Sequence, residues 1–191
     1  MNRRTLFTGW LIALALALAG CDSGGGDSSS GAGDGQASGS LTPEAQKALS
    51  SALLDDEGEY AAYAAYTSVI ERYGNVEPYV TIRRAESRHI SALQRVMDRY
   101  GVSYSKQNPF LGKIRAPDSL LTAARAWEKG EIANVQLYDG LLSSVRDYPD
   151  LTRMFNNLRA ASLNQHLPAF RAAAQNGGTL TPDQMRQVNR G

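Results

Sequence analysis

The spacing of helix stops constrains this chain of 191 residues more than any other feature. Four stretches of helical period lie between residues 41 and 175. The first opens on Thr42-Pro43-Glu44, which reads as N-cap, N1 proline and first-turn acid, and runs to Tyr73, where Gly74-Asn75 stops it. Gly58 interrupts it, which predicts a kink or a division into two helices. The second spans about residues 78–100 and stops at Gly101. Its apolar-face positions Ile82, Ala85, His89, Leu93 and Val96 recur every three or four residues. The third spans about 119–146 and is followed by the turn Tyr148-Pro149-Asp150. The fourth spans about 151–174 and ends at Gly177-Gly178, with Pro168 predicting a kink late in it. A short helix capped by Thr181-Pro182-Asp183 closes the chain.

The connections between these stretches are unequal. Helices one and two, and helices three and four, are joined by about four residues each, whereas helices two and three are separated by residues 102–117 and their flanks. A helix of about 24 residues is ~36 Å long, and seventeen extended residues span ~55 Å. The long connection can therefore cross the whole length of a bundle. Two tight hairpins joined by one crossover predict an all-α, four-helix bundle of the crossover kind, not the simple up-down-up-down kind. Residues 41–175 are enough for one domain with its own core, followed by a short tail over 176–191.

Glu86-Ser87-Arg88-His89 is the chemical centre of the sequence. Positions i and i+3 share a helix face, so this E-x-x-H aims a carboxylate and an imidazole at one point. The chain has only two histidines, His89 and His166, and each lies in a stretch that a bundle would bury. Glu59 and Glu131 sit at comparable depth in the first and third stretches. Glutamates on two helices, an E-x-x-H on another and a histidine on the fourth follow the ligand logic of a carboxylate-bridged dinuclear site. Buried carboxylates are costly unless paired or metal-bound. The residues alone leave open a second arrangement, a buried polar network or carboxylates turned outward toward Arg83, Arg84 and Arg88.

Ahead of the helices, residues 1–20 read as a secretory signal. Arg3 and Arg4 form its positive start and Leu11 to Leu18 its apolar segment, which is short for a membrane span of ~20 residues. Leu18-Ala19-Gly20-Cys21 resembles a bacterial lipoprotein signal. That resemblance implies cleavage before Cys21, a diacylglycerol on its sulfur and anchorage to a membrane of the bacterial cell envelope, because two or more acyl chains hold stably where one is marginal. Asp22 follows; in enteric bacteria an aspartate there accompanies inner-membrane retention, and the choice between inner and outer membrane stays open. Residues 21–40, rich in Gly, Ser and Asp, read as a flexible tether with a reach of roughly 25 Å.

Charge and composition exclude other classes. Losing Arg3 and Arg4 with the signal takes two positive charges from a formal +1 and leaves −1, so there is no basic surplus for nucleic acid. Cys21 is the only cysteine, so no disulfide staples the fold. No glycine-rich loop follows a strand, and no Ser–His–Asp order supports a nucleophile. The tyrosines at 60, 63, 66, 73, 79, 100 and 104, with Trp127 and Phe155, read as packing. Nothing in the pattern sets an oligomeric state.

Four blocks in order carry a family resemblance. Asp56-Glu57-Gly58-Glu59-Tyr60-Ala61-Ala62 leads to Tyr66, placing Ala at +3 and Tyr at +7 from Glu59. Ala85-Glu86-Ser87-Arg88-His89 follows, then Glu131-Ile132-Ala133-Asn134 with Leu137-Tyr138-Asp139. Ala161-Ser162 with His166-Leu167-Pro168-Ala169-Phe170 completes the set. Over about residues 49–174 the chain resembles the ferritin-like DUF2202 family, whose function is unknown. The resemblance implies metal ligation by Glu59, Glu86, His89, Glu131 and His166, with Glu128, one turn earlier, as an alternative to Glu131. The expected metal is iron, as a di-iron pair or a single ion, with Mn and Zn as alternatives. One departure stands out. A second E-x-x-H would put a glutamate three before His166, and Leu163 is there. The resulting expectation is a lipid-anchored, metal-binding bundle that oxidises Fe(II) or consumes peroxide or oxygen. The competing expectation is a metal-free binding or structural module at the membrane surface.

Overall fold

The computed structural model describes residues 40–190. The signal segment, Cys21 and most of the tether lie outside the described residues. The described chain is all-α, with no strand and one isolated bridge, Glu77 to Leu180. None of its helices is long and apolar enough to cross a membrane.

Local chemistry sets the boundaries. Helix α1 (Pro43–Leu54) starts where the Thr42 hydroxyl accepts from the Ala45 amide at 3.2 Å. Gly58 divides the first predicted helix: α2 (Glu59–Tyr73) begins immediately after it. Helix α3 (Tyr79–Tyr100) ends on Gly101 in the left-handed conformation, φ 67°. Helix α4 (Leu120–Leu141) is capped by the Ser119 hydroxyl and runs on as a 3₁₀ turn through Val145. Helix α5 (Pro149–Ala161) passes through a π-helical stretch, Ser162–His166, into α6 (Leu167–Gln175). Helix α7 (Pro182–Val188) carries a capping box between Thr181 and Gln184.

The expected kink at Pro168 takes a particular form. Proline donates no N–H, so the ladder must open upstream of it. It opens as the π stretch, closed by the Leu167 amide donating to the Ser162 carbonyl five residues back.

Contacts fix the helix directions. Glu59 and Tyr60, at the start of α2, meet His89 at the middle of α3 and Gln94 beyond it, while Tyr63, further along α2, lies under Arg83 nearer the start of α3, so these two run antiparallel. Tyr66 of α2 reaches Glu131 and Tyr138 of α4 reaches back to Glu59, so α2 and α4 are antiparallel too. Arg171 pairs with Glu128 and Arg159 with Asp139, which sets α5–α6 antiparallel to α4. The 101–119 connection follows α2 along its length. Near its start Asn108 donates to the Tyr60 carbonyl at 2.7 Å, and near its end the Pro117 carbonyl accepts from Tyr73 at 2.6 Å.

Two apolar cores result. One gathers Leu49, Leu53, Leu93, Met97, Leu151 and Phe155, with α1 closing that end. The other gathers Val69, Tyr79, Ile82, Ala123, Ala124 and Phe170. Along each of α2, α3, α4 and α5–α6 the residues between the two cores are polar and buried: Glu59, Glu86, Glu131, Ser162 and His166. The polar layer is thus sealed at both ends by side chains whose burial stabilises by roughly 1.5–3 kcal/mol each.

Gly58 is the joint that sets where α2, and therefore Glu59, begins. A Cβ there would lie 2.8 Å from the Ala52 carbonyl oxygen and 3.0 Å from that of Ser51, both backbone atoms that cannot swing aside. Gly58→Ala is expected to destabilise the fold by about 1–3 kcal/mol, read as a lower thermal midpoint. An unchanged midpoint would mean that the α1–α2 joint is loose.

Candidate metal centre

The five residues singled out by spacing meet at one place. Glu59 is the first residue of α2, Glu86 and His89 lie one turn apart on α3, Glu131 is mid-α4, and His166 ends the π stretch. His89 Nδ1 is 3.1 Å from Glu59 Oε2 and 3.0 Å from Glu86 Oε2. His166 Nδ1 is 3.0 Å from the other oxygen of Glu86 and 3.4 Å from Glu131 Oε2. Two triads result, Glu59–Glu86–His89 and Glu86–Glu131–His166, each with its ligand atoms within 4.8 Å of one another. Glu86 belongs to both and turns one oxygen to each. The two imidazoles stack with ring centres 5.6 Å apart.

The outer carboxylates are held by tyrosines in a crossed pattern. Tyr138 of α4 donates to Glu59 Oε1 at 2.5 Å, and Tyr66 of α2 donates to Glu131 Oε1. Each tyrosine stands seven residues after the glutamate of its own helix and serves the glutamate of the other. Each outer glutamate therefore has one oxygen tied down and one turned inward toward a histidine. That arrangement orients a carboxylate as a ligand.

The electrostatics describe a charge-hungry pocket. Among the described residues no lysine or arginine pairs with Glu59, Glu86 or Glu131, and their cationic partners there are the two histidines. Burial, and then Glu86, push Glu59 up to about 8. Burial would lower His89, but its bonds to Glu59 and Glu86 outweigh that and carry it to about 10. His166 is likewise pulled down by burial and held well above its usual value by Glu131 and Glu86. Glu86, which burial would raise, is instead held well below the carboxylate range by His166 and by its bonds to Glu59 and the histidines. Burial first, then the neighbouring carboxylates, keep Tyr66 and Tyr138 well above the usual phenol value, so both stay O–H donors.

A metal can be tested against these residues on one observation. His166 is buried, and neither of its ring nitrogens makes a hydrogen bond, although Nδ1 lies within ion-pair distance of two carboxylates. A buried imidazole left in this state is unfavourable by about 1–3 kcal/mol. Its Nδ1 stands 3.0 Å from Glu86 Oε1 and 3.4 Å from Glu131 Oε2, hydrogen-bonded to neither. This is how a ligand to a shared cation sits, and the all-oxygen-and-nitrogen donor set suits iron, manganese or zinc. The residues fit a metal.

Two sequence expectations change. Glu128 pairs with Arg171 at 3.0 Å on the outer side of α4, which leaves Glu131 as the inward residue. The glutamate expected three before His166 presumes α-helical spacing, but the turn there is π-helical, so Ser162, four before, faces inward. Leu163 is 37% exposed. Ser162 donates to Asn134 Oδ1 at 2.8 Å, and Asn134 donates to the Glu57 carbonyl at 2.8 Å. This chain of neutral groups links the inward side of the π stretch to α4 and to the turn before α2. Tyr66 reads from sequence as packing, and Tyr138, Asn134 and Ser162 go unassigned there; the repeated Glu-to-Tyr spacing of seven was the available signal.

No family model, curated protein or solved structure matches the chain.

The proton linkage gives a test. Glu59 and His89 both bind their proton more tightly folded than unfolded. Their stabilisation of the metal-free protein is fully present below their ordinary values of 4.5 and 6.5, and it is lost as pH rises through about 8 and 10. The thermal midpoint of metal-free protein is expected to fall between pH 7 and pH 10, and Glu59→Gln should flatten the lower part of that fall. A midpoint that rises with pH over this range would contradict the assignment.

Proposed function

We propose that this chain is a ferritin-like four-helix bundle with a crossover between α3 and α4, holding a dinuclear metal centre, and that acylated Cys21 tethers it to a bacterial envelope membrane. The single observation that carries the metal reading is Glu86, which offers one oxygen to each of two Glu–His triads. The antiparallel course of α3 and α4 against α2, with a connection running the length of α2, supports the bundle topology. The DUF2202 resemblance agrees with it.

Iron is the metal proposed. Bound iron would supply one-electron redox chemistry toward oxygen or peroxide at open coordination positions. The residues of the chain have separate tasks. Glu59 and His89 would hold one ion, Glu131 and His166 the other, and Glu86 both. Tyr66 and Tyr138 keep the outer carboxylates from rotating. The two apolar cores exclude water from above and below. With one bridging carboxylate where the full pattern has two, the site carries less negative charge, and the second ion binds more weakly than the first. Deprotonation of the histidines and Glu59 accompanies loading, so affinity rises with pH.

The test is metal content of the full chain in detergent after anaerobic exposure to Fe(II), by mass spectrometry. Up to two ions per chain are expected, one per triad, with none in a His89→Ala, His166→Ala double variant that keeps its helical signal. Tyr138→Phe should weaken binding about 10–100-fold. Leu163→Glu should leave the stoichiometry unchanged, because that position faces outward. A well-folded parent that takes up no Fe(II), Mn(II) or Zn(II) would move the reading to a binding or structural module.

A further inference from the structure

A cavity of about 80 Å³ lies between α2 and α4 and reaches the second triad at Glu131 and Tyr66. Small residues create it. Ala61, Ala62 and Ala65 line it from α2 and Gly130 from α4, while Ile114 of the crossover covers it. Its outer end is the exposed Asp56–Glu57 turn. One water takes about 30 Å³ in the liquid, so the space suits a molecule of two or three non-hydrogen atoms.

The lining selects among such molecules. The carboxylates of Asp56 and Glu57 repel small anions at the mouth. Between those carboxylates and Glu131, the alanine, glycine and isoleucine wall offers a hydrated cation no oxygen ligand. The wall also contains Trp127, whose indole N–H is buried without a partner. Such a donor is satisfied by an acceptor atom. Asn134 and Glu131, at the inner end, tie the cavity to Ser162 and to the second triad.

We infer that this cavity is the port through which a small uncharged oxygen species, of the dioxygen or hydrogen peroxide class, reaches the centre, with Asp56 and Glu57 at its mouth and Gly130 in its wall. The inference rests on the metal reading above. His89 is the most exposed member of the cluster, with 14% of its side chain exposed, on the other triad. The port therefore serves the Glu131–His166 half, and the two halves of the centre differ in access as well as in burial.

Nitric oxide, a neutral diatomic that gives a visible absorption on ferrous centres, is the probe. The full chain is loaded with Fe(II), its iron content is measured, and the rate of nitric oxide binding is followed by anaerobic stopped flow. Gly130 has room for a side chain: an added Cβ would meet only Trp127 Cε3, at 3.4 Å. Gly130→Leu fills the cavity from α4 and Ala62→Leu from α2. Ser91→Leu, on the groove between α3 and the crossover, is the control. Both filling variants are expected to keep parental iron and to slow nitric oxide binding about tenfold or more, a barrier increase of ~1.4 kcal/mol, while the control is unchanged. Parental rates in both filling variants would overturn the port. Loss of iron from both would also overturn it, by making the lining part of the metal-holding structure. An iron-free parent chain would overturn the metal reading itself, and the iron assay distinguishes that case.

Discussion

Three carboxylates brought into one dry layer are the constraint on which the rest of the structure depends. An ionised carboxylate in an apolar interior is strongly unfavourable unless it is compensated. Glu59, Glu86 and Glu131 meet that demand in three ways at once. Tyr66 and Tyr138 each donate to one outer oxygen. Two imidazoles stand beside the inner oxygens. Without a metal, protons on Glu59 and on both histidines reduce the charge that remains: burial and then Glu86 push Glu59 toward its protonated form, and the neighbouring carboxylates hold both histidines protonated against the opposing effect of burial. Protons thus stand among groups that could hold a metal ion.

The scaffold follows from that need. Two separate apolar cores, not one, flank the polar layer, so the charge is buried without interrupting the packing that holds the helices. The crossed tyrosines tie α2 to α4 through the site itself. The π stretch serves two ends. It absorbs the amide that Pro168 lacks, and it turns both His166 and Ser162 inward.

Much of this was legible in the sequence because it depends on local signals. Gly74, Gly101 and the Tyr148-Pro149-Asp150 turn mark helix ends through backbone chemistry, and Gly58 announces the break that makes Glu59 an N-terminal residue. The i, i+3 relation of Glu86 and His89 is pure helix geometry. What was not legible depends on partners on other helices. Leu163 looks like a missing ligand only if α-helical spacing is assumed, and nothing local to Ser162–His166 except Pro168 warns that the turn widens. Tyr66 and Tyr138 are ordinary core tyrosines by spacing; their exchange between helices appears only when α2 and α4 lie side by side. Glu128 and Glu131 are one turn apart, and Arg171 on a different helix decides which of them turns outward. Lipid attachment at Cys21 rests on sequence alone, since it lies outside the described residues.

Bridging by Glu86 is the claim from which the chemistry follows, and anomalous diffraction from crystals of the iron-loaded protein measures it directly at the iron edge. The expected result is two anomalous peaks about 3.5–4 Å apart, one beside Glu59 and His89 and the other beside Glu131 and His166, with the Glu86 carboxylate between them. A single peak away from Glu86, or no peak in a crystal of folded protein grown with iron, would contradict it.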